Sequence, residues 1–372
     1  MKINTIASLI LVFIISGCAS ISVPTAIPTE LPLPSTFTPI PTNTLLPTQP
    51  PEPTLTETET PTLPPGPAPT PIRLKSSNAV LVPDIGSSAR SMVWSRDGNY
   101  LFIGTSKKGL AIYDVVHKKL LPLVGNNGNF PSLAISPDGK TLGVGLANDG
   151  SIRLWSIENI YPVYELQTIF PAHQGDVNVL AFSPDGNLIA SGGNDGEVFV
   201  WDVKTGKMIK KLDAEDIVLG LVFSPDGKTL IAGLSTKEEF DIWNTDTWGL
   251  QKTFPGDQAY GLAISADGSK IVSAGGGISE ANLWDFKTGK LLFKLVKDTD
   301  GMALAVSYDS NGKFVALGGG GDTVFIWDVA TGNSAWELNT GLDVTQAVAF
   351  SPDGTRIATG GNRVRIWSLG TP

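Results

Sequence analysis

The sequence is poor in the residues from which metal centres and many active sites are built. Among 372 residues it has one cysteine, Cys18, and two histidines, His117 and His173. So few thiols and imidazoles exclude a zinc ribbon, a histidine-rich metal site and a disulfide framework. No HExxH or GxSxG motif occurs, and we therefore expect no catalytic centre, metal or cofactor.

Runs of basic residues are also missing. The chain carries 27 Lys and Arg against 36 Asp and Glu, a net charge of −9. Because affinity for nucleic acids depends on cationic contacts to phosphates, we expect no nucleic-acid partner.

The only marked apolar run near the start is short. Residues 6–15 follow Lys2 and lead into Ser16, Gly17 and Cys18. A run of this length is too short for the ~30 Å hydrocarbon core and is typical of a secretory signal. Its end resembles the bacterial lipoprotein box, which implies removal of residues 1–17 and acylation of Cys18. An ordinary signal peptide with a chance cysteine is the alternative.

Such an anchor would place the protein on the extracytoplasmic face of the cell membrane or outer envelope, because two or more acyl chains hold a protein stably.

The segment that follows is dominated by proline and threonine. Residues 24–71 hold 16 of the 27 prolines and 13 threonines, with no Lys or Arg. Proline at this density favours polyproline II and coil. We therefore predict a disordered linker over 18–71, acting as a spacer; a proline-rich ligand for another domain is the alternative.

The remaining residues, 72–372, are filled by a repeat. An apolar strand, a turn of the type Ser-Pro-Asp-Gly, a glycine-containing strand and a strand that ends at an aromatic residue recur seven times, and in the third, fifth and sixth units that strand ends in Trp-Asp. The turns begin at Ser95, Ser136, Ser183, Ser224, Ser265, Ser307 and Ser351, and the aromatic positions are Tyr113, Trp155, Trp201, Trp243, Trp284, Trp327 and Trp367. These aromatic residues lie between 40 and 46 residues apart, a period typical of four-stranded propeller blades.

Each part of the repeat has a local physical reason. In Ser-Pro-Asp-Gly, proline presets φ for a type I turn and glycine takes the left-handed position after it. The glycines of the second strand, as in residues 188–193, suit crowding near a propeller axis. No segment has a convincing helical period, so the pattern predicts an all-β protein: a single seven-bladed β-propeller of four-stranded blades.

These motifs resemble those of the WD-repeat β-propellers. In that family a His, a Ser, an Asp and the Trp of one blade form a hydrogen-bonded set, and the third unit matches it with His173, Ser191, Asp195 and Trp201. The resemblance implies a structural role for these four residues. The other units lack the His, so their blades must depend on packing.

The two ends of the repeat region complement each other. The seventh unit lacks a fourth strand, and residues 78–82 form a spare strand before the first unit. WD-repeat propellers complete the last blade in this way, and we expect 78–82 to pair with 363–368.

The loops before each first strand hold the only candidate contact site. Five acids, expected on one top face, precede the turns by seven or eight positions: Asp176, Asp216, Asp257, Asp300 and Asp343. They form either an acidic mouth for a cation or basic partner, or turns stabilised by aspartate. Five positions before each turn stands a mixed column that includes Arg90, Asn178, Tyr260 and Met302. A column of this kind is typical of a protein-contact surface.

The sequence thus predicts a monomeric, lipid-anchored, non-catalytic propeller that binds a protein or peptide through its top face. The alternative is an extracytoplasmic propeller enzyme, or a binder of a small ligand or metal, that uses the acidic mouth.

Overall fold

The structure, a computed structural model, describes residues 70–372 except 126–127, 148, 161–163, 170–172, 238, 256–257, 276–279, 297–300 and 371–372; at 164–169 and 254–255 only the backbone is described. The predicted signal segment 1–17, Cys18 and nearly all of the predicted linker 18–71 lie outside the described residues. In the part of the chain that is described, no helix is long and apolar enough to cross a bilayer.

The described residues form an all-β fold whose only helical element is the 3₁₀ turn Ser76–Asn78. Two strands, β1 (Ile72–Leu74) and β2 (Val80–Leu81), precede the repeats. Blade 1 contains β3 (Ala89–Trp94), β4 (Tyr100–Thr105), β5 (Leu110–Asp114) and β6 (Lys119–Leu120). Blade 2 contains β7 (Ser132–Ile135), β8 (Thr141–Gly145), β9 (Ile152–Ser156) and β10 (Tyr164–Ile169). Blade 3 contains β11 (Val177–Phe182), β12 (Leu188–Gly193), β13 (Glu197–Asp202) and β14 (Met208–Asp213).

The remaining blades repeat this order. Blade 4 contains β15 (Val218–Phe223), β16 (Thr229–Leu234), β17 (Glu239–Asn244) and β18 (Leu250–Pro255). Blade 5 contains β19 (Gly261–Ile264), β20 (Lys270–Ala274), β21 (Glu280–Asp285) and β22 (Leu291–Val296). Blade 6 contains β23 (Ala303–Tyr308), β24 (Phe314–Gly319), β25 (Thr323–Asp328) and β26 (Ser334–Asn339). Blade 7 contains β27 (Ala347–Phe350), β28 (Arg356–Gly360) and β29 (Val364–Ser368).

The seven sheets close into a ring, which confirms the predicted seven-bladed propeller. The first strand of each blade packs against the first strand of the next, and β27 packs against β3 in the same way. At this last seam the Ala89 N–H donates to Gly361 O at 2.8 Å. Trp94 Nε1 donates to Ala349 O at 2.9 Å. Closure leaves no open end in the series of blades.

Antiparallel pairing within each blade sorts the connections onto two faces. The loops between blades and the loops between second and third strands lie on one side, which we call the top face. The turns between first and second strands lie on the opposite side, the bottom face. The predicted contact residues therefore belong to the top face.

The bottom-face turns are held by a hydrogen bond between their own side chains. In blade 3, Ser183 Oγ donates to Asp185 Oδ1 at 2.6 Å and accepts the Leu188 N–H at 2.9 Å. Gly186 follows with a φ of 73°, in the left-handed region that glycine adopts without strain.

The turn of blade 6 begins two residues later than the sequence predicted. It begins at Asp309, whose carbonyl accepts the Gly312 N–H at 3.0 Å and whose Oδ1 accepts the Phe314 N–H at 2.8 Å. Ser307, the predicted start, lies inside strand β23. Aspartate can replace serine here because either side chain supplies the oxygen that accepts the backbone N–H.

The glycines of the second strands respond to crowding between blades rather than at the axis. A Cβ at Gly145 would lie 2.8 Å from Val177 Cγ1 in the first strand of the next blade. At the closing seam, a Cβ at Gly360 would lie 3.0 Å from the Cβ of Ala89. Glycine therefore sets how closely neighbouring blades approach.

The N-terminal chain completes blade 7 as predicted and also extends blade 6. Val80 pairs antiparallel with Ile366, and the Val82 N–H donates to Val364 O at 3.0 Å. Before that, β1 adds a fifth, parallel strand to β26, with Ile72 opposite Trp336. The sequence did not predict this strand. It packs Ile72 and Leu74 against the cluster that contains Trp336, which is almost fully buried.

Removal of residues 78–84 should lower the melting temperature by several degrees. The deletion exposes the edge of β29 and removes Val82 from the core shared by blades 7 and 1. Thermal unfolding followed by circular dichroism measures the effect. A chain truncated immediately before Thr70, which keeps every described strand, is the control. Equal melting temperatures for the two proteins would contradict the closure.

Candidate functional site

Bulges on the innermost strands shape the top face. In blades 1, 3, 4 and 6 the pairing of the first strand with the second skips one residue near the top: Arg90, Asn178, Leu219 and Leu304. A bulge leaves its extra residue out of the ladder and redirects the side chain. Arg90 is exposed and the other three side chains are half-buried. Three residues of the predicted column, Arg90, Asn178 and Leu219, are therefore bulge residues.

Met302 does not belong to this column. Because the turn of blade 6 begins at Asp309, the residue five positions earlier is Leu304. Met302 lies in the loop before β23, where it is 44% exposed. Tyr260 precedes β19 directly, and its ring lies near Gly275 in the loop between β20 and β21.

The top face of blades 4 to 7 carries apolar side chains that are exposed or half-buried, and we call this set the apolar arc. Its members are Ile217, Leu219, Tyr260, Met302, Leu304 and Val344. Backbone contacts link them from blade to blade. Gly220 packs on Leu262, Gly261 packs beside Leu304, and Gly320 pairs with Val344 while donating its N–H to Met302 O at 2.9 Å.

The predicted acids do not share one environment. Asp216 is used within its own blade: its carboxylate accepts the backbone N–H groups of Ile217, Thr236 and Lys237 at 2.7 to 3.0 Å. Burial acts to raise its pKa, but these hydrogen bonds outweigh burial and the pKa is lowered. This arrangement matches the turn-stabilising interpretation of Asp216.

Asp343 is exposed, whereas Asp176 is half-buried like Asp216. Asp257 and Asp300 lie outside the described residues. Within the described ranges, no group of three or more His, Cys, Asp or Glu side chains is placed to hold a metal ion.

Blade 3 contains a buried line of hydrogen bonds between Ser191, His173 and Asp195. His173 Nδ1 lies 2.8 Å from Asp195 Oδ1, and His173 Nε2 lies 2.9 Å from Ser191 Oγ. Asp195 Oδ2 also accepts the Gln174 N–H at 2.8 Å, which ties the loop before the blade to the loop after β12. The ring of Phe199 packs edge-on against His173, with 4.8 Å between centroids.

Burial decides what this line can do. It lowers the pKa of His173, although Asp195 acts in the opposite direction, so the imidazole is neutral at pH 7. A Ser-His-Asp order is also that of a hydrolase triad. However, Ser191 is 0% exposed in the middle of β12, and a nucleophile must reach its substrate. The hydrogen-bonded line therefore has a structural role: it joins the loop before β11 to the loop after β12.

Trp201 is not part of the line in the way the resemblance implied. Trp201 Nε1 is buried and has no hydrogen-bond acceptor among the described residues. The tryptophan-to-hydroxyl bond occurs in other blades instead. Trp284 Nε1 donates to Ser273 Oγ at 3.0 Å in blade 5, and Trp367 Nε1 donates to Thr359 Oγ1 at 2.9 Å in blade 7.

One buried acid was missed by sequence reasoning. Asp241 occupies in β17 the position that Phe199 occupies in β13, and it is 5% exposed. Burial raises its pKa to about 6, and the nearby Lys237 opposes that shift. The sequence could have revealed it, because Asp241 places a carboxylate at the strand position where blade 3 has the aromatic ring of Phe199.

Comparison with known proteins addresses the repeat directly. Residues 118–156, 164–202 and 340–368 match the family described as "WD domain, G-beta repeat". The chain contains WD40 repeats. The first two matched WD40 segments begin in or just before the fourth strand of one blade, the third begins just after it, and all three end with the third strand of the next blade. Each repeat therefore connects two neighbouring blades.

Curated relatives share parts of this WD40 region. Over 73 residues the chain is 45% identical to small ribosomal subunit protein RACK1y of Oryza sativa subsp. japonica, which covers 20% of each chain. It is 36% identical over 133 residues to transcription factor unc-37 of Caenorhabditis elegans, or 36% of this chain and 21% of the relative. It is 39% identical over 74 residues to cross-pathway control WD-repeat protein 2 of Flammulina velutipes, and these residues are 20% of this chain and 22% of the relative. The match thus spans about a fifth of each relative's length.

Replacement of His173 by Asn should destabilise the fold by about 1–3 kcal/mol, because Ser191 and Asp195 lose a buried partner. It should also flatten the dependence of stability on pH. In the native protein the pKa of His173 is below its unfolded value, so the unfolded chain binds more protons once the pH falls below about 6.5. Acid therefore destabilises the native protein.

Chemical denaturation between about pH 7.5 and about pH 5.5 measures both effects. The exposed His117, replaced by Asn, is the control. The same pH dependence in native protein and in the His173 variant would contradict a neutral, buried imidazole.

Proposed function

We propose that this WD40 propeller is a non-catalytic, monomeric platform that binds a protein or peptide through its top face. The observation that supports this most directly is the apolar arc. Three of its members, Ile217, Met302 and Val344, are each more than a third exposed on the rim of the top face. Apolar side chains gathered on one loop surface, next to polar loops, are typical of a protein-contact site.

The chemistry of the top face supports binding rather than catalysis. The His173 line is buried, and Asp216 is occupied by backbone N–H groups. The repeats that this chain shares with RACK1y, unc-37 and cross-pathway control protein 2 add an analogy at the level of the fold. Because folds host many functions, the analogy has less weight than the surface itself.

The proposal also includes a lipid anchor at Cys18 and a position on the outer side of a bacterial membrane. Sequence supports it through the lipobox resemblance and the proline-rich segment that follows. Strand β1 runs parallel to β26, so Ile72 is nearer the bottom face than Leu74. The first described strand therefore rises from the bottom face, opposite the proposed contact surface.

A triple variant tests the contact surface. Substitution of Ile217, Met302 and Val344 by Ser should reduce capture of partner proteins from native membranes about tenfold or more, since a few apolar anchors supply most interface energy. The matched control replaces Ile209, Leu250 and Val296 by Ser, which are exposed apolar residues on the outer edges of blades 3 to 5. Quantitative mass spectrometry compares the proteins captured by the native protein, by the top-face variant and by the control variant. Equal losses in both variants would contradict a specific top-face site.

Replacement of Cys18 by Ser tests the anchor. The native protein should partition into the detergent phase and yield a mature N-terminus at Cys18 that carries acyl chains. The variant should lose the acyl mass and move to the aqueous phase, whereas Ser20→Ala should behave as the native protein. Intact-protein mass spectrometry with phase partitioning measures both. A membrane-bound variant without acyl mass would refute acylation as the anchor.

A further inference from the structure

We propose that the top rim of blades 7 and 1 binds an acidic segment of the partner protein, through Arg90, Lys107, Lys108 and Arg363, which we call the basic rim. The inference rests on the proposed function and specifies the chemistry of the partner. It depends on three features: the contiguity of these cations, the lack of ion pairs between them and other described residues, and an unsatisfied guanidinium in blade 7, at the seam with blade 6.

Hydrogen bonds between loops make the basic rim one surface. Ser88 Oγ donates to Asn362 Oδ1 at 2.9 Å, so the chain before β3 is joined to the loop that carries Arg363. The Ser106 N–H donates to Ser88 O at 2.9 Å, which joins the same chain to the loop of Lys107 and Lys108. Arg90, the bulge residue of β3, follows two residues after Ser88.

The four cations are exposed, and none of them forms an ion pair with a described residue. This contrasts with cations elsewhere on the propeller. Lys211 pairs with Glu197 at 2.8 Å, and Arg73 pairs with Glu337 at 2.9 Å.

The rim also contains an acid, Asp84, which lines the same cleft as Arg363 and whose Oδ1 accepts the Gly86 N–H at 2.8 Å. The four cations outnumber Asp84, so the rim is locally positive on a chain of net charge −9, which favours an anionic ligand.

Arg365 adds an independent observation. It lies in β29, two residues after Arg363, and its Nη2 would be 3.9 Å from a Cβ at Gly341 in the loop between β26 and β27. Its guanidinium therefore lies at the seam of blades 6 and 7. The residue is only 8% exposed, and Arg365 Nη1 is buried without an acceptor among the described residues. Burial, with a contribution from Arg363, lowers its pKa. A buried guanidinium N–H without a partner is costly, and a carboxylate is the acceptor that fits it in geometry and charge.

Continuity with the apolar arc favours a polypeptide as the source of the anion. A Cβ at Gly361, in the loop of Arg363, would lie 3.5 Å from the carbonyl carbon of Val344, the last member of the arc. A segment that places Glu or Asp on the rim can therefore extend its apolar residues onto the arc. Nucleic acid or lipid headgroups would use the cations but leave the arc uncovered.

Peptide binding measures the rim directly. A fluorescein-labelled peptide with a Glu-rich half and a Leu-rich half is titrated with the intact protein by fluorescence anisotropy. The quadruple variant Arg90→Gln, Lys107→Gln, Lys108→Gln and Arg363→Gln should weaken the dissociation constant about tenfold or more. The control changes Lys204, Lys207, Lys287 and Lys290 to Gln, which removes the same charge from exposed positions on the bottom face. It should leave the dissociation constant within about twofold.

Three further probes fix the ligand class. The matched peptide with Gln for Glu should bind weakly. Vesicles containing phosphatidylglycerol and duplex DNA should not compete at the ionic strength at which the Glu peptide binds. Equal weakening by the rim and control variants, or competition by vesicles or DNA as strong as that by the peptide, would overturn the inference.

Arg365→Met separates binding from stability. If the role of Arg365 is to bind the ligand, the melting temperature of the variant should equal or exceed that of the native protein, and the variant should bind the Glu peptide more weakly. A lower melting temperature with unchanged peptide binding would show a structural role and count against the inference. Loss of partner capture in the Ile217, Met302 and Val344 variant, with no effect of the rim variant on capture or on the peptide, would refute the rim and leave the proposed function standing.

Discussion

Contact between the first strands of neighbouring blades is the constraint on which the rest of this structure depends. Each blade buries its apolar face only against the next one, so the ring must close at the seam between β27 and β3. Glycine at the end of the second strand, as at Gly145 and Gly360, allows the approach. The N-terminal strand β2 then completes blade 7 from the far end of the domain, which makes the fold of the last blade depend on residues before the first.

The same closure separates structural polar groups from available ones. Ser183 and Asp185 are satisfied within one turn, and Asp216 is satisfied by loop N–H groups. His173 is enclosed between two loops. Among the described residues of the top face, the four cations of the basic rim form no ion pair, and Ile217, Met302 and Val344 of the apolar arc are exposed. The proposed recognition uses these surfaces, which the fold itself does not use.

Sequence reasoning was most accurate where the signal is local and repeated. Seven turns and seven aromatic positions predicted the number of blades, and the missing fourth strand predicted closure by residues 78–82. It was wrong at the blade 6 turn, because Asp309 replaces the usual serine and shifts the alignment by two residues, which placed Met302 in a column that belongs to Leu304. The parallel strand β1 could not be predicted, since three residues carry no period and its partner β26 is far away in the chain.

By itself, the sequence determined the all-β class, the seven repeats and the positions of most turns, because φ preferences of proline and glycine and the alternation of apolar residues act over a few residues. Only the tertiary structure decided which polar side chains are occupied and which are free. Whether Asp216 faces a ligand or a backbone N–H depends on the loop between β16 and β17 of its own blade. Whether Arg363 meets a carboxylate depends on loops from blades 7 and 1. Distances between loops settle both pairings, and these distances become defined only when the chain folds.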